Sequence, residues 1–180
     1  MGDATRLLML VGAYIAGASG LFLVLSSLTA GGRRLVQGLI GGQEAAFAWA
    51  AAILMTASSL TLSEVFGYQP CQWCWIQRGF AYPNVLVLAV VFFTRKLAAW
   101  WLALALAVCG IGASSYHILL DWKVINPKTA CSSSVPCDVR WNGFEGPLST
   151  IQVGAFCCFL FIIGMCIHSL AARSSTSVEA

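Results

Sequence analysis

Charge is what this chain has least of. Asp, Glu, Lys and Arg together make up 9% of its residues, against about 25% in an ordinary soluble domain. Set beside 59% hydrophobic residues and a mean hydropathy of +0.81, that scarcity excludes a soluble globular domain and leaves an integral membrane protein. Basic clusters are missing as well. The Lys and Arg residues stand singly or in pairs, so the net charge of +3 offers no stripe for nucleic acid. There is no internal repeat. Ionisable groups within the apolar runs are few beyond Arg78 and His117, which ranks a solute transporter last among the possible functions. Long polar stretches are reduced to one, residues 121–147.

What the chain has in abundance is apolar runs. A hydrocarbon core of about 30 Å needs about 20 such residues, and five segments qualify: Leu7 to Leu28, Ala45 to Leu62, Cys74 to Phe93, Leu97 to Leu120 and Leu148 to Leu170. The second is alanine-rich and the weakest. Spanning segments must satisfy their own backbone groups, so helices are expected over a barrel, in a small bundle with short connections. The first run has Arg6 ahead of it and Leu28-Thr29-Ala30 after it, as a cleavable signal would. It is longer than a signal's apolar region and is read as a retained span. The glycine-rich residues 31–44 are expected as a loop, residues 94–96 as a tight turn, and the serine-rich residues 171–180 as a disordered tail.

Two spans separate the two polar cysteine pairs, so both pairs face one compartment whichever way the chain is inserted. With those loops outside, Arg33, Arg34, Arg95, Lys96 and Arg173 fall inside, close to helix ends; Arg6, Lys123, Lys128 and Arg140 fall outside. The positive-inside rule favours this orientation, and thiols that pair persist on the oxidising side of a membrane. Tyr68, Trp73, Trp75, Trp122 and Trp141 would form an aromatic belt at the outer face, with Trp100 and Trp101 at the inner one.

The eight cysteines have two kinds of setting. Cys109, Cys157, Cys158 and Cys166 lie within apolar helices, where cysteine acts as a small hydrophobe. Cys71-Gln72-Trp73-Cys74 lies where the third span begins. The C-x-x-C spacing closes a small ring and often lowers one thiol pKa. The unpaired N–H groups of a helix start favour a thiolate, and Pro70 suits such a start. Cys131 and Cys137 stand in the long polar loop. Two dithiols at one membrane surface point to electrons passed between cysteines. The alternative is non-enzymatic: a scaffold with a structural disulfide, or a zinc clasp made by both pairs. C-x-x-C is an ordinary zinc half-site, but the C-x5-C spacing is looser than usual.

Arg78 lies four residues after Cys74, on the same helix face and about 6 Å deeper. An arginine within a span usually marks a partner or a pathway, though snorkelling to the interface is open to it. It could stabilise a Cys74 thiolate or bind an oxygen of a ligand at membrane depth, with Gln77 as a neutral donor beside it. Pro83 removes one helix hydrogen bond. His117, with Asp121 four residues on, could deliver protons or be a packing histidine.

Pro70-Cys71-Gln72-Trp73-Cys74-Trp75-Ile76-Gln77-Arg78 followed by Tyr82-Pro83 resembles the first active site of the DsbB/BdbC family of membrane disulfide bond formation proteins, which are thiol:quinone oxidoreductases. Ser115-Tyr116-His117 and the Cys131 to Cys137 segment look like later parts of the shorter, BdbC-like members. The resemblance implies a four-helix transmembrane bundle over residues 45–170, with residues 1–44 adding an N-terminal span and its loop. It also implies re-oxidation of a DsbA/BdbD-like thioredoxin-fold partner outside the plasma (inner) membrane of a bacterium, electrons passing to ubiquinone or menaquinone from the membrane pool. Carried over, Cys131 would form the mixed disulfide with the partner and Cys137 would be its mate. Cys71 would exchange with that pair, and Cys74 would face the quinone near Gln77 and Arg78, with His117 at similar depth. No metal is implied. Two departures stand out: the extra N-terminal span, and a second pair separated by only five residues, which restricts how Cys137 reaches Cys71. In the vitamin K epoxide reductase family, by contrast, the loop pair precedes the C-x-x-C.

Overall fold

The structure is a computed structural model that describes residues 2–126, Cys131, Cys137 and residues 151–176. Six α-helices account for most of them: α1 (Gly2–Ser27), α2 (Ala30–Ile40), α3 (Glu44–Leu60), α4 (Gln72–Thr94), α5 (Leu97–Asp121) and α6 (Ile151–Thr176). A π-helical turn, Thr61–Val65, extends α3. Among the described residues, five helices are long and apolar enough to cross a membrane: Leu7–Ser27, Glu44–Val65, Gln72–Thr94, Leu97–Asp121 and Ile151–Arg173. The described residues form an all-α, multi-pass membrane bundle. Even the alanine-rich second run forms a full span, because Ala45, Ala48 and Ala52 are fully buried against neighbouring helices and alanine carries the best helix propensity.

The bundle has α6 near its centre, in contact with α1, α3 and α5, while α4 bridges α3 and α5. Its core joins Leu88 and Val91 of α4, Trp100 of α5 and Phe159 and Ile162 of α6, all with no exposed surface. Trp100 is therefore a core residue and not the interfacial anchor its position implied; Trp101, at 57% exposure, faces outward. The α1–α6 contact depends on small residues, which let backbones approach in a membrane. A Cβ on Gly20 would come within 2.6 Å of Phe161 N. The same contact is fastened by His168, fully buried, whose Nε2 lies 2.9 Å from Leu23 O and 3.0 Å from Ser26 Oγ.

The glycine-rich segment expected as a loop is mostly helix α2. Thr29 caps it, its Oγ1 accepting from Gly32 N at 3.1 Å. Leu35, Val36, Leu39 and Ile40 recur at helical spacing, and Val36 is buried. Each internal glycine costs about 1 kcal/mol of helix propensity, but the cap and the apolar face offset this. The chain leaves α2 through Gly42, whose φ of +85° suits glycine alone. The tight turn at 94–96 is present, with Arg95 left-handed at φ 54°.

Basic side chains tie the loops at this end: Arg95 Nη1 donates to Gly42 O at 2.9 Å, and Arg173 Nη1 to Arg95 O at 3.0 Å. Residues 171–176, expected as tail, are instead the last turns of α6, since Arg173 finds a backbone partner there. Residues 177–180 lie outside the described residues, as does most of the 121–147 loop, including Trp141.

Candidate functional site at the cysteine end

α4 begins at Gln72, with Cys71 as its N-cap residue in extended conformation and Cys74 one turn in. Their sulfurs lie 3.3 Å apart as free thiols, Cys74 within hydrogen-bonding reach of Cys71. α5 delivers His117 to the same point from the neighbouring helix, its Nε2 3.4 Å from Cys71 Sγ. His117 is fully buried and Cys71 is 5% exposed. The His117 ring is oriented by amides: Gln77 Nε2 lies 3.4 Å from Nδ1, and Gln152 Nε2 3.3 Å from Nε2. Asp121, expected as its orienting group, is buried a turn further along α5, while the described contacts of the ring nitrogens run to Cys71, Gln77 and Gln152.

Cys71 stands one residue ahead of the span Gln72–Thr94. The hydrogen bond from the Cys74 thiol, helped by His117, overrides burial and brings the Cys71 pKa down to about 4. Cys71 therefore holds the negative charge of the reduced pair, as a helix start favours.

Arg78 lies one turn below Cys74. Its Nε donates to Ser59 Oγ at 2.9 Å, and its Nη2 to Ser59 O at 2.9 Å and Ser63 Oγ at 3.0 Å. The guanidinium also lies 5.1 Å from the Trp75 ring centroid. It is 8% exposed, so it is held inside the bundle and does not snorkel. These hydrogen-bond partners are uncharged, so its positive charge remains available to the thiols and the cavity. Ser59 and Ser63, which the sequence reading passed over, sit four apart where α3 widens into its π turn, a feature common at functional sites.

The second pair forms a disulfide, Cys131–Cys137, with Cα atoms 5.9 Å apart. Cys137 is 2% exposed and lines the same cavity as Cys71 and Cys74; Cys131 is half-buried. The loop pair therefore places one of its two cysteines on the wall of the cavity that the C-x-x-C also lines. Because the loop pair is closed on itself, the four-cysteine zinc clasp is not formed.

The cavity measures about 730 Å³, within the 300–1,000 Å³ range of small-molecule sites. Its polar end carries Cys71, Cys74, Gln77, Arg78 and His117, and the remainder is largely apolar, walled by α1, α3 and α6. α1 packs on α6 but scarcely touches α3, so the cavity is the cleft between α1 and α3. A second apolar cavity continues it toward α2, sharing Ser19, Phe47 and Phe161 as walls. Of the seven site residues expected from the sequence, six line this cavity and Cys131 is bonded to one of them. Gln152 completes the polar end.

A membrane helix bundle with a buried C-x-x-C dithiol beside a histidine, an arginine and a disulfide defines a class, the membrane thiol oxidoreductases. Residues 43–167 match the family model "Disulfide bond formation protein DsbB", and the chain belongs to that family, whose members generate disulfides. It is 34% identical over 122 residues to a probable disulfide formation protein of Oceanobacillus iheyensis, covering 66% of this chain and 84% of the relative. To disulfide bond formation protein C of Bacillus subtilis it is 35% identical over 128 residues, covering 66% and 87%. To a probable disulfide formation protein of Metapseudomonas resinovorans it is 35% identical over 130 residues, covering 71% and 88%. No solved structure matches the chain. The family match leaves out all of α1 and α2.

Proposed function

We propose that this protein re-oxidises a thioredoxin-fold, DsbA/BdbD-like dithiol partner on the outer face of a bacterial plasma membrane and passes the two electrons to a membrane quinone. The observation that carries this reading is the cavity that joins Cys71, Cys74 and Cys137 to Gln77, Arg78 and His117 at one end and to an apolar cleft at the other. The orientation is supported by Arg33, Arg95 and Arg173 at the end opposite the cysteines, next to helix termini.

Each exchange is attack of a thiolate on a disulfide sulfur. The half-buried Cys131 is the sulfur open to the partner. A thiolate of the partner protein attacks Cys131, breaking the Cys131–Cys137 bond and releasing the Cys137 thiolate; the partner's second thiol then closes the partner disulfide and releases Cys131. Cys137, on the cavity wall, next attacks Cys71 of the Cys71–Cys74 disulfide and releases Cys74. Cys131 attacks Cys137 in turn, restoring the loop disulfide and releasing Cys71. A thiol of low pKa leaves fastest, and Cys71 is that thiol. The product of this sequence is the loop disulfide with a Cys71–Cys74 dithiol.

The residues fit a quinone. A flat head with carbonyl oxygens needs donors at one place, and an isoprenoid tail needs a long apolar slot. Arg78 uses Nε and Nη2 on α3, which leaves Nη1 with two N–H groups for a carbonyl oxygen. Gln77 offers an amide. A bound quinone, ubiquinone or menaquinone, supplies the sink for two electrons and two protons. His117 Nε2 lies at hydrogen-bond range of Cys71 Sγ and is placed to pass a proton between the dithiol and the bound acceptor. The α1–α3 cleft would admit the tail from the membrane.

The test is oxidation of a reduced thioredoxin-fold partner by the purified protein with added quinone. Turnover with ubiquinone or menaquinone is expected; none with either, given a competent partner, defeats the reading.

A further inference from the structure

The exchange chemistry leaves one property of the dithiol unused. Cys71 Sγ, Cys74 Sγ and a His117 ring nitrogen all lie within 4.8 Å of one another, with 3.3 Å between the sulfurs and 3.4 Å from Cys71 Sγ to His117 Nε2. In a tetrahedral zinc site, Zn–S of about 2.3 Å and Zn–N of about 2.0–2.1 Å place sulfurs about 3.8 Å apart and sulfur and nitrogen about 3.6 Å apart. The two edges that meet at Cys71 therefore need to open by only about 0.5 and about 0.2 Å to match such a site, and the third edge, Cys74 Sγ to the His117 ring, already lies within 4.8 Å. Three donors come from two helices that already pack together, α4 and α5.

We propose that the reduced Cys71–Cys74 dithiol and His117 form a binding site for a thiophilic divalent cation of the zinc type, which holds the dithiol reduced and blocks its exchange. Binding displaces the one remaining thiol proton and moves no electrons: cation plus the Cys71 thiolate and the Cys74 thiol gives a bis-thiolate complex and one proton. The two thiolates cancel the ion's charge, which suits a site where Cys71 is 5% exposed and His117 fully buried. The outer partners are in place. A metal-bound histidine hands its other ring N–H to an acceptor, and Gln77 lies 3.4 Å from Nδ1; its amide, whose orientation is set by its neighbours, would turn its oxygen there.

Three protein ligands beside a cavity leave a fourth position for water, as zinc sites that are not closed structural ones do. Gln152, 3.3 Å from Nε2, borders that position. Oxidation to the Cys71–Cys74 disulfide removes two of the three ligands, so the ion and the disulfide exclude each other. The binding stands apart from the proposed relay; only its inhibitory consequence rests on it.

Cobalt(II) is the probe. The full chain carrying Cys131→Ser and Cys137→Ser, reduced and freed of reductant in detergent, is titrated with Co²⁺. One equivalent should bind with the intense visible absorption of tetrahedral cobalt and a thiolate charge-transfer band, and Zn²⁺ should displace it. Cys71→Ser should abolish the bands. His117→Ala should weaken binding by at least the roughly tenfold that loss of a ligand's outer partner costs, and oxidation of the pair should prevent it. Pale, octahedral cobalt, or bands that survive Cys71→Ser or oxidation, would overturn the proposal. If His117→Ala fails to fold, the Cys71→Ser and oxidation arms decide. These readouts involve no quinone or partner, so a negative result here leaves the relay standing, and failure of the relay leaves the binding site standing.

Discussion

His117 Nε2 lies 3.4 Å from Cys71 Sγ although 46 residues separate them in the chain. A ring nitrogen beside the thiol that carries the charge of the pair is placed for proton transfer. General acid–base groups contribute on the order of 100-fold or more, so His117→Ala should lower quinone-dependent turnover by about that factor. Exchange between the loop pair and the partner should be little changed. Single-turnover measurement of the two half-reactions separates the effects; equal loss in both would make His117 a packing residue.

The acidity of Cys71 rests first on the Cys74 thiol and then on His117. In the reduced protein, labelling of Cys71 by a small thiosulfonate should be nearly independent of pH from about 8 down to about 5 and fall off near 4, where the thiolate is protonated. Cys74→Ala should move that midpoint toward the ordinary thiol range, and by more than His117→Ala does. A wild-type midpoint near 9 would remove the charged Cys71 from the mechanism.

Arg78 is anchored to α3 by a planar fork that lysine cannot reproduce. Arg78→Lys should therefore raise KM for quinone by more than it lowers kcat. Ser59→Ala, which removes one acceptor from the charged guanidinium, a bond worth about 1.5–3 kcal/mol, should do the same more weakly because the Ser59 carbonyl and Ser63 remain. Unchanged KM in both variants would place the quinone elsewhere.

α1 walls the cleft opposite α3, with Ala16 among its lining residues. Ala16→Trp should fill the slot and raise KM for a quinone with a long isoprenoid tail while leaving a tail-less analogue unaffected. Equal effects on both would show that the cleft is not where the tail lies.

Much of this was legible in the sequence because the bilayer imposes a strong rule: about 20 apolar residues per span. The five spans agree with the structure to within a few residues. The cysteine end was legible for a related reason, since polar residues at the edge of apolar runs are rare enough to stand out. The misreadings have physical causes. Five glycines between 31 and 42 read as loop, but Thr29 caps a helix there and Val36 docks it. Trp100 read as an interfacial anchor because sequence gives depth without rotation, and rotation turns it into the core. Ser59, Ser63 and Gln152 were missed because each is a lone small or neutral polar group. Only the packing of α3 and α6 against α4 and α5 shows that they hold Arg78 and His117. Polar residues spaced four apart at the end of an apolar run were the available signal. His168 was passed over for the same reason: its partners, Leu23 and Ser26, lie on a helix more than 140 residues away.

The most direct measurement removes the two outer sulfurs of the relay. In a Cys74→Ala, Cys131→Ala variant expressed in membranes, only Cys71 and Cys137 remain at the cavity's polar end. Mass spectrometry of the digested protein should find the Cys71 and Cys137 peptides joined by a disulfide. Two free, alkylatable thiols under oxidising conditions would show that the pairs do not meet, and would contradict the transfer of electrons between them.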